Sequence, residues 1–405
     1  MGKITGTVGG LIVTALGMSL IGTSPPAGGA PSAGVASGAG VAPIDPDATA
    51  QTVALYRNLR ALAGSALLFG HQDDLAYGST WWAESGRSDV LEAAGAYPSV
   101  FGWDVGRIEL NSATNIDGVD FADLKRWIRQ AHAMGAVNTV SWHSVDPVTG
   151  GGYGSTPTHR AISYLLPGGS RHDTLITWLD RFADFADDLV DGNGDPIPIV
   201  FRPYHEHTGD WFWWGIDNDL NTVADYTQLW RFTVDYLREQ KGLHHLLYAI
   251  SPDRSRMDID NLATEYLASY PGDEYVDVLG FDNYWDTGHS ANTTALTQQY
   301  LHYVRSLQVV SQLAQARDKI AALTETGTPR GISDPWTNYL LKAVNTDEDT
   351  RRIGWSLAWR NPFGRSGGGT PRPGSGTAAD FAAFRQHPFT MFQDRLPPLY
   401  RPPAS

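Results

Sequence analysis

Glu206 and Glu325 stand apart from the other carboxylates because of what precedes them. Glu206 follows the apolar run Ile199-Val-Phe-Arg-Pro203 and stands just before four consecutive aromatics, Trp211 to Trp214. Glu325 closes a second apolar run, Lys319-Ile-Ala-Ala-Leu-Thr-Glu325. A single carboxylate on a buried strand is most often half of a structural ion pair. Two of them, ending different strands, could instead bring a proton donor and a nucleophile to one place, as cleavage of a glycosidic bond requires. An aromatic shelf beside the acid suits a sugar, which offers hydroxyls to polar groups and flat C–H faces to rings. Trp211 follows the acid by one short turn and is the ring best placed for that contact.

His205 and His207 flank Glu206, and alternation along a strand sends His205 and Glu206 to opposite sides. Both reach one mouth only if the chain breaks at Pro203 or bulges. A His-X-His pair can hold zinc, but this chain has no cysteine and no HExxH, so no metal and no cofactor are expected. Asp191-Gly-Asn-Gly-Asp195 opens like a calcium loop, yet Pro196 stands where glycine is needed and Arg202 where glutamate is needed. Gly150-Gly-Gly152 and Gly367-Gly-Gly369 lack the Lys-Ser/Thr ending of a phosphate loop.

The two glutamates need a scaffold, and the chain supplies a repeating one. Eight apolar runs are spaced as strands: 66–70, 99–104, 136–143, 197–203, 244–250, 276–282, 320–325 and 353–359. Amphipathic segments separate them. Phe121, Leu124, Ile128, Ala131 and Met134 fall at helical spacing before Gly135, and Leu175 to Leu189 and Leu229 to Leu237 repeat the pattern. An open doubly wound sheet would carry a glycine-rich phosphate turn after its first strand, where this chain reads Gly70-His-Gln-Asp-Asp74. The expected fold is therefore α/β, a (β/α)8 TIM barrel forming a single catalytic domain over 49–401, with its chemistry at the strand ends. Those ends also carry His143, Asp282, Tyr284, Trp359 and Arg360.

Acidic residues outnumber basic ones by 44 to 30 and the cations are scattered, so neither nucleic acid nor a membrane is an expected partner. A monomer is expected. Lys3 precedes an apolar run, Val8 to Ile21, shorter than the roughly 20 residues a membrane span needs. Residues 1–30 accordingly read as an export signal, 31–48 as an Ala/Gly/Pro-rich linker, and the protein as secreted.

With these residues assembled, the chain resembles glycoside hydrolase family 26, a family of secreted β-mannanases. The matching motifs are Leu67-Leu-Phe-Gly-His-Gln-Asp73, Val100-Phe-Gly-Trp-Asp104, Trp142-His143, Arg202-Pro-Tyr-His-Glu206, Gly209-Asp-Trp-Phe-Trp-Trp-Gly215, Phe281-Asp-Asn-Tyr284, Ala322-Leu-Thr-Glu-Thr-Gly327 and Trp359-Arg360. The resemblance implies that Glu206 is the acid/base and Glu325 the nucleophile of a retaining double displacement on β-1,4-mannan. It implies that His205 contacts sugar at the cleavage point and that Tyr284 bonds the nucleophile. His143, Trp211, Asp282, Trp359 and Arg360 are then expected to line sugar subsites. A mixed-linkage β-glucanase, a β-1,3-xylanase and a non-catalytic carbohydrate-binding barrel remain alternatives at this stage.

Overall fold

The computed structural model describes residues 41–402, apart from 155–157, 330, 366–368 and 373. The expected export signal, most of the expected linker, Gly367 and Gly368 lie outside the described residues.

Eight parallel strands close on themselves: β1 (Leu67–Gln72), β2 (Val100–Asp104), β3 (Val137–Trp142), β4 (Ile199–Pro203), β5 (Leu246–Ile250), β6 (Val278–Asn283), β7 (Ile320–Thr326) and β8 (Ile353–Ala358). Closure comes from β8 pairing with β1, Leu68 opposite Trp355 through His71 opposite Ala358. A two-residue strand, β9 (Thr390–Met391), adds to the outside of β1. All eight expected strands form, with ends shifted by no more than two residues.

Strand periodicity divides the core into two layers. Leu68, Val100, Val137, Val200, Leu247, Val278, Ile320 and Trp355 point inward and fill the barrel; Phe69, Phe101, Val140, Phe201, Leu246, Leu279 and Leu323 pack outward against helices. Leu55, Tyr56 and Leu59 of the helix Ala50–Leu62 join the inner layer, and the Tyr56 hydroxyl donates to the carbonyl of Asp318 just before β7. That helix plugs the N-terminal end, leaving the C-terminal rim open. The helices Phe121–Ala133 and His172–Asp187 bury the stripes their spacing predicted, and Gly135 takes a left-handed φ of 79° to turn the chain into β3.

Residues 41–48, read from composition as linker, are fastened to the barrel. Asp45 is buried and accepts from His244 Nδ1 at 2.9 Å, and the Ile44 amide donates to Asp277 at 2.8 Å. Composition misses this because a few long-range polar contacts, rather than apolar content, hold the segment.

Continuing the inward alternation to the rim selects the site. Asp104 on β2, His143 after β3, Arg202 on β4, Asp282 on β6 and Trp359 after β8 each stand an even number of residues beyond an inward apolar side chain. Glu325 breaks this parity, since Ala322 and Thr324 are the inward positions. A register shift between Phe281 and Asp282 in the β6–β7 ladder sets Glu325 opposite Asp282 and turns it back inward. Gly280 is required beneath it, for a Cβ there would lie 2.6 Å from the Thr324 methyl.

Candidate active site

The exit of β4 shows how His205 and Glu206 come to one rim. The ladder ends with Trp142 opposite Pro203, and then Tyr204 and Glu206 both adopt left-handed backbone, φ 50° and 51°. Two such turns in non-glycine residues cost on the order of 1–3 kcal/mol each, and surrounding bonds must hold them. The Glu206 amide donates to the Ser251 carbonyl at 2.7 Å, and Trp214 Nε1 donates to the His205 carbonyl at 2.7 Å. The expected break at Pro203 is thus a pair of strained residues just beyond it.

Glu325 and Glu206 face each other, with one oxygen of each and one of Asp282 mutually within 4.8 Å. Glu325 is 3% exposed and both its oxygens are engaged: Arg202 Nη2 donates to Oε1, and the Tyr284 hydroxyl donates to Oε2 at 2.9 Å. Arg202 also donates to Asp282 at 2.8 Å, so the cation lying among these three carboxylates is a guanidinium. Glu206 is half-buried, and Trp211 Nε1 donates to its Oε2 at 2.7 Å. Burial, followed by the negative charges of Glu325, Asp282 and Asp253, pushes the Glu206 carboxyl well above the usual range, while the Trp211 bond opposes the shift.

A second chain of contacts runs from β2. His143 Nδ1 lies 2.6 Å from Asp104 Oδ2, and His143 Nε2 lies 3.0 Å from His205 Nε2. His205 in turn stands 3.9 Å from Glu325 Oε1. Burial, the neighbouring His143 and Arg202 hold His205 well below the ordinary histidine value, so its ring is neutral. Asp104 is held low despite its burial, chiefly by His143, so it is an acceptor and His143 donates to it through Nδ1.

Two cavities open from this centre and share Glu206 and Tyr284. One, about 270 Å³, also contains Glu325 and is walled by Asp117, His143, Tyr153, His205, Trp359 and Arg360. The other, about 480 Å³, lacks Glu325 and is walled by Trp211, Arg256, Trp285 and His289, with Asp253 and Ser255. Together they make a groove passing across the two glutamates.

Eight of the nine residues expected from sequence thus meet at the groove: Glu206, Glu325, His143, His205, Trp211, Tyr284, Trp359 and Arg360. Asp282 is the exception and corrects the expectation. It has no exposed surface, and its oxygens accept from Arg202, from Thr324 at 2.6 Å and from Ser251 at 3.3 Å, so it holds Arg202 from below and does not line the groove. Of the three tryptophans of the aromatic shelf only Trp211 reaches the groove, since Trp213 and Trp214 are wholly buried. His207 turns away from His205, stacks on Tyr226 at 4.0 Å and meets Ser269 at 2.6 Å, which removes the His-X-His metal reading. Sequence reasoning missed Asp117, Tyr153 and Arg256, which sit on irregular loops without periodic signal, and it passed over Trp285, next to Tyr284.

A closed parallel barrel with two facing glutamates at the C-terminal ends of its fourth and seventh strands defines the class of barrel glycoside hydrolases. The family model described as glycosyl hydrolase family 26 matches residues 44–342, and the chain belongs to that family. The match ends before β8 and therefore does not include Trp359 or Arg360. A mannan endo-1,4-β-mannosidase from Bifidobacterium adolescentis is 36% identical over 356 residues, 84% of this chain and 34% of that protein. One from Bacillus subtilis (strain 168) is 28% identical over 262 residues, 62% of this chain and 68% of that protein. Among solved structures, a family 26 β-mannanase from Bacteroides ovatus superposes with a TM-score of 0.80 at 38% identity, covering 88% of this chain and 99% of that one. An endo-β-1,4-mannanase from Cellulomonas fimi gives 0.78 at 35% identity, over 89% and 79% of the two chains. The chain spans about a third of the Bifidobacterium relative's length.

Proposed function

We propose that the protein hydrolyses β-1,4-mannosidic bonds in mannan, glucomannan or galactomannan with retention of configuration. The observation that carries the mechanism is the approach of Glu206 and Glu325 oxygens to within 4.8 Å. Retaining enzymes hold their carboxyls about 5–5.5 Å apart and inverting ones roughly 6.5–9.5 Å, to admit a water. Glu325, oriented by Arg202 and Tyr284, attacks the anomeric carbon as Glu206 gives its proton to the leaving oxygen. Glu206, now a carboxylate, takes a proton from water, which displaces Glu325 and frees the sugar. The cavity containing Glu325 then holds the glycone, and the cavity with Glu206 but without Glu325 holds the leaving group. His205, His143, Trp359 and Arg360 contact the glycone, and Trp211 the leaving sugar.

The choice of mannan rests on the relatives, which are named as mannanases. We further propose that residues 1–30 direct export and that the enzyme acts outside the cell as a monomer on polysaccharide. Among the described residues no helix is long and apolar enough to cross a membrane. Reducing-sugar release from galactomannan, glucomannan, lichenan and β-1,3-xylan tests the substrate. Release from the mannans alone is the expected result; release from lichenan or β-1,3-xylan alone would replace mannan by the corresponding substrate. Proton NMR of the first product formed tests retention, which an inverted anomer would exclude. Mass analysis of secreted protein tests export, with a mature chain beginning at Met1 as the adverse outcome.

A further inference from the structure

At the far end of the glycone cavity, past Arg360, lie two rings that the mechanism does not use. Trp82 and Phe363 are 37% and 49% exposed in a chain that buries most of its large aromatics. Trp82 lies flat on buried Tyr77, with centroids 4.9 Å apart and planes 6° from parallel, and Phe363 meets Trp82 edge-on at 5.8 Å. Both are built onto the wall of the groove. Arg360 donates to the Tyr77 hydroxyl at 3.1 Å and pairs with Asp117 at 2.6 Å. A Cβ on Gly118, the residue after Asp117, would sit 3.8 Å from the six-membered ring of Trp82.

The short hairpin bearing Trp82 and the segment bearing Phe363 are fixed to each other. The Gly364 amide donates to the Ser79 carbonyl at 3.1 Å. Buried Asp89 accepts from the Ser79 amide at 2.9 Å, from Trp81 Nε1 at 2.8 Å and from Asn361 Nδ2 at 2.8 Å, joining the turn after β1 to the segment after β8. Adjacent exposed rings on a fixed support mark a contact surface, and a ligand stacking there pays little for ordering it.

We propose that Trp82 and Phe363 form a distal platform for a pyranose unit of the glycone chain, beyond the unit held by Arg360 and Asp117. The proposal rests on the glycoside hydrolase reading of the groove and adds a subsite to it. The occupant is a β-linked pyranose continuing the chain that fills the groove, since such a ring presents an apolar C–H face to an indole and a phenyl ring. Neither ring offers more than one hydrogen-bond donor, so the platform reads the length of the chain rather than the configuration of its hydroxyls.

Steady-state kinetics of the Trp82→Ala and Phe363→Ala enzymes test this, with a chromogenic aryl β-mannobioside as the short substrate and β-1,4-mannohexaose as the long one. Losing one stacked ring is expected to lower kcat/KM on the hexasaccharide by roughly tenfold and to leave the short substrate within about twofold. Trp82→Tyr should recover most of the loss. Unchanged kinetics on the hexasaccharide, or an equal loss on both substrates, overturns the platform, the second result being that of a merely supporting ring. If Trp82→Ala fails to fold, half-exposed Phe363→Ala decides the question alone. A wild-type enzyme that cleaves no mannoside sinks the mannan reading instead. The same variants are then compared on the hexasaccharide and aryl bioside of whichever polysaccharide it does cleave, with the same two outcomes.

Discussion

In the proposed mechanism, the proton on Glu206 is the residue-scale quantity on which turnover depends. Its carboxyl is pushed up by burial and by nearby negative charge, so it stays protonated at pH values where an ordinary glutamate is ionised. Activity should fall as pH rises through that raised value. Trp211→Phe removes the indole N–H that donates to Oε2 and opposes the shift. The basic limb of the kcat/KM profile should therefore move to higher pH, and a limb moving down would reverse the assigned sign. Stability is linked to the same proton. A carboxyl whose folded value lies above its unfolded value lowers stability once pH exceeds the unfolded value. Glu206→Gln should accordingly be inactive on polysaccharide yet unfold at a higher denaturant concentration than wild type at neutral pH. Glu325→Ala should lose at least about a thousandfold in kcat while still binding oligosaccharide in calorimetry.

At the scale of elements, β4, β6 and β7 act as one unit because Arg202 bonds across all three. Its guanidinium serves Asp282 on β6 and Glu325 on β7, and all three groups are almost fully buried. Breaking a buried ion pair by removing one partner costs about 3–5 kcal/mol, because the other charge is left uncompensated. Arg202→Met should lower stability by that order in urea unfolding and abolish activity through a displaced Glu325. Adding Asp282→Asn should restore part of the stability but not the activity. Full stability in the single variant would show that the pair contributes little to folding.

For the whole molecule, buried imidazoles contribute a pH-dependent part of stability. Burial pushes His207 down to about 3 and His245 to about 4, while His205 is also held low. An unfolded histidine takes a proton near pH 6.5, so between about 6.5 and 4 these three imidazoles bind more protons in the unfolded chain than in the folded one, opposite in sign to the raised carboxyl of Glu206. Their share of stability should fall as pH drops from about 7 to about 5, read as the change in urea midpoint between wild type and a variant lacking one of them. His207→Phe should flatten that dependence whatever it does to stability at neutral pH. An unchanged slope would place the acid sensitivity elsewhere.

The barrel and most of its site were legible because both obey local rules. Alternating apolar runs and helical stripes are set by which side chains must leave water, and barrel chemistry gathers at strand ends, so Glu206, Glu325, His143 and Trp359 could be picked out by position. What depended on tertiary structure was the direction each side chain takes. The left-handed turns at Tyr204 and Glu206 and the β6–β7 register shift bring both glutamates to one face, although simple alternation would have turned one neighbour away. The same geometry drew Asp282 beneath Arg202, sent Trp213 and Trp214 into the core, and set Trp82 beside Phe363 from loops at opposite ends of the chain. These outcomes rest on long-range hydrogen bonds and on how strands are offset, and neither leaves a periodic trace in the order of residues.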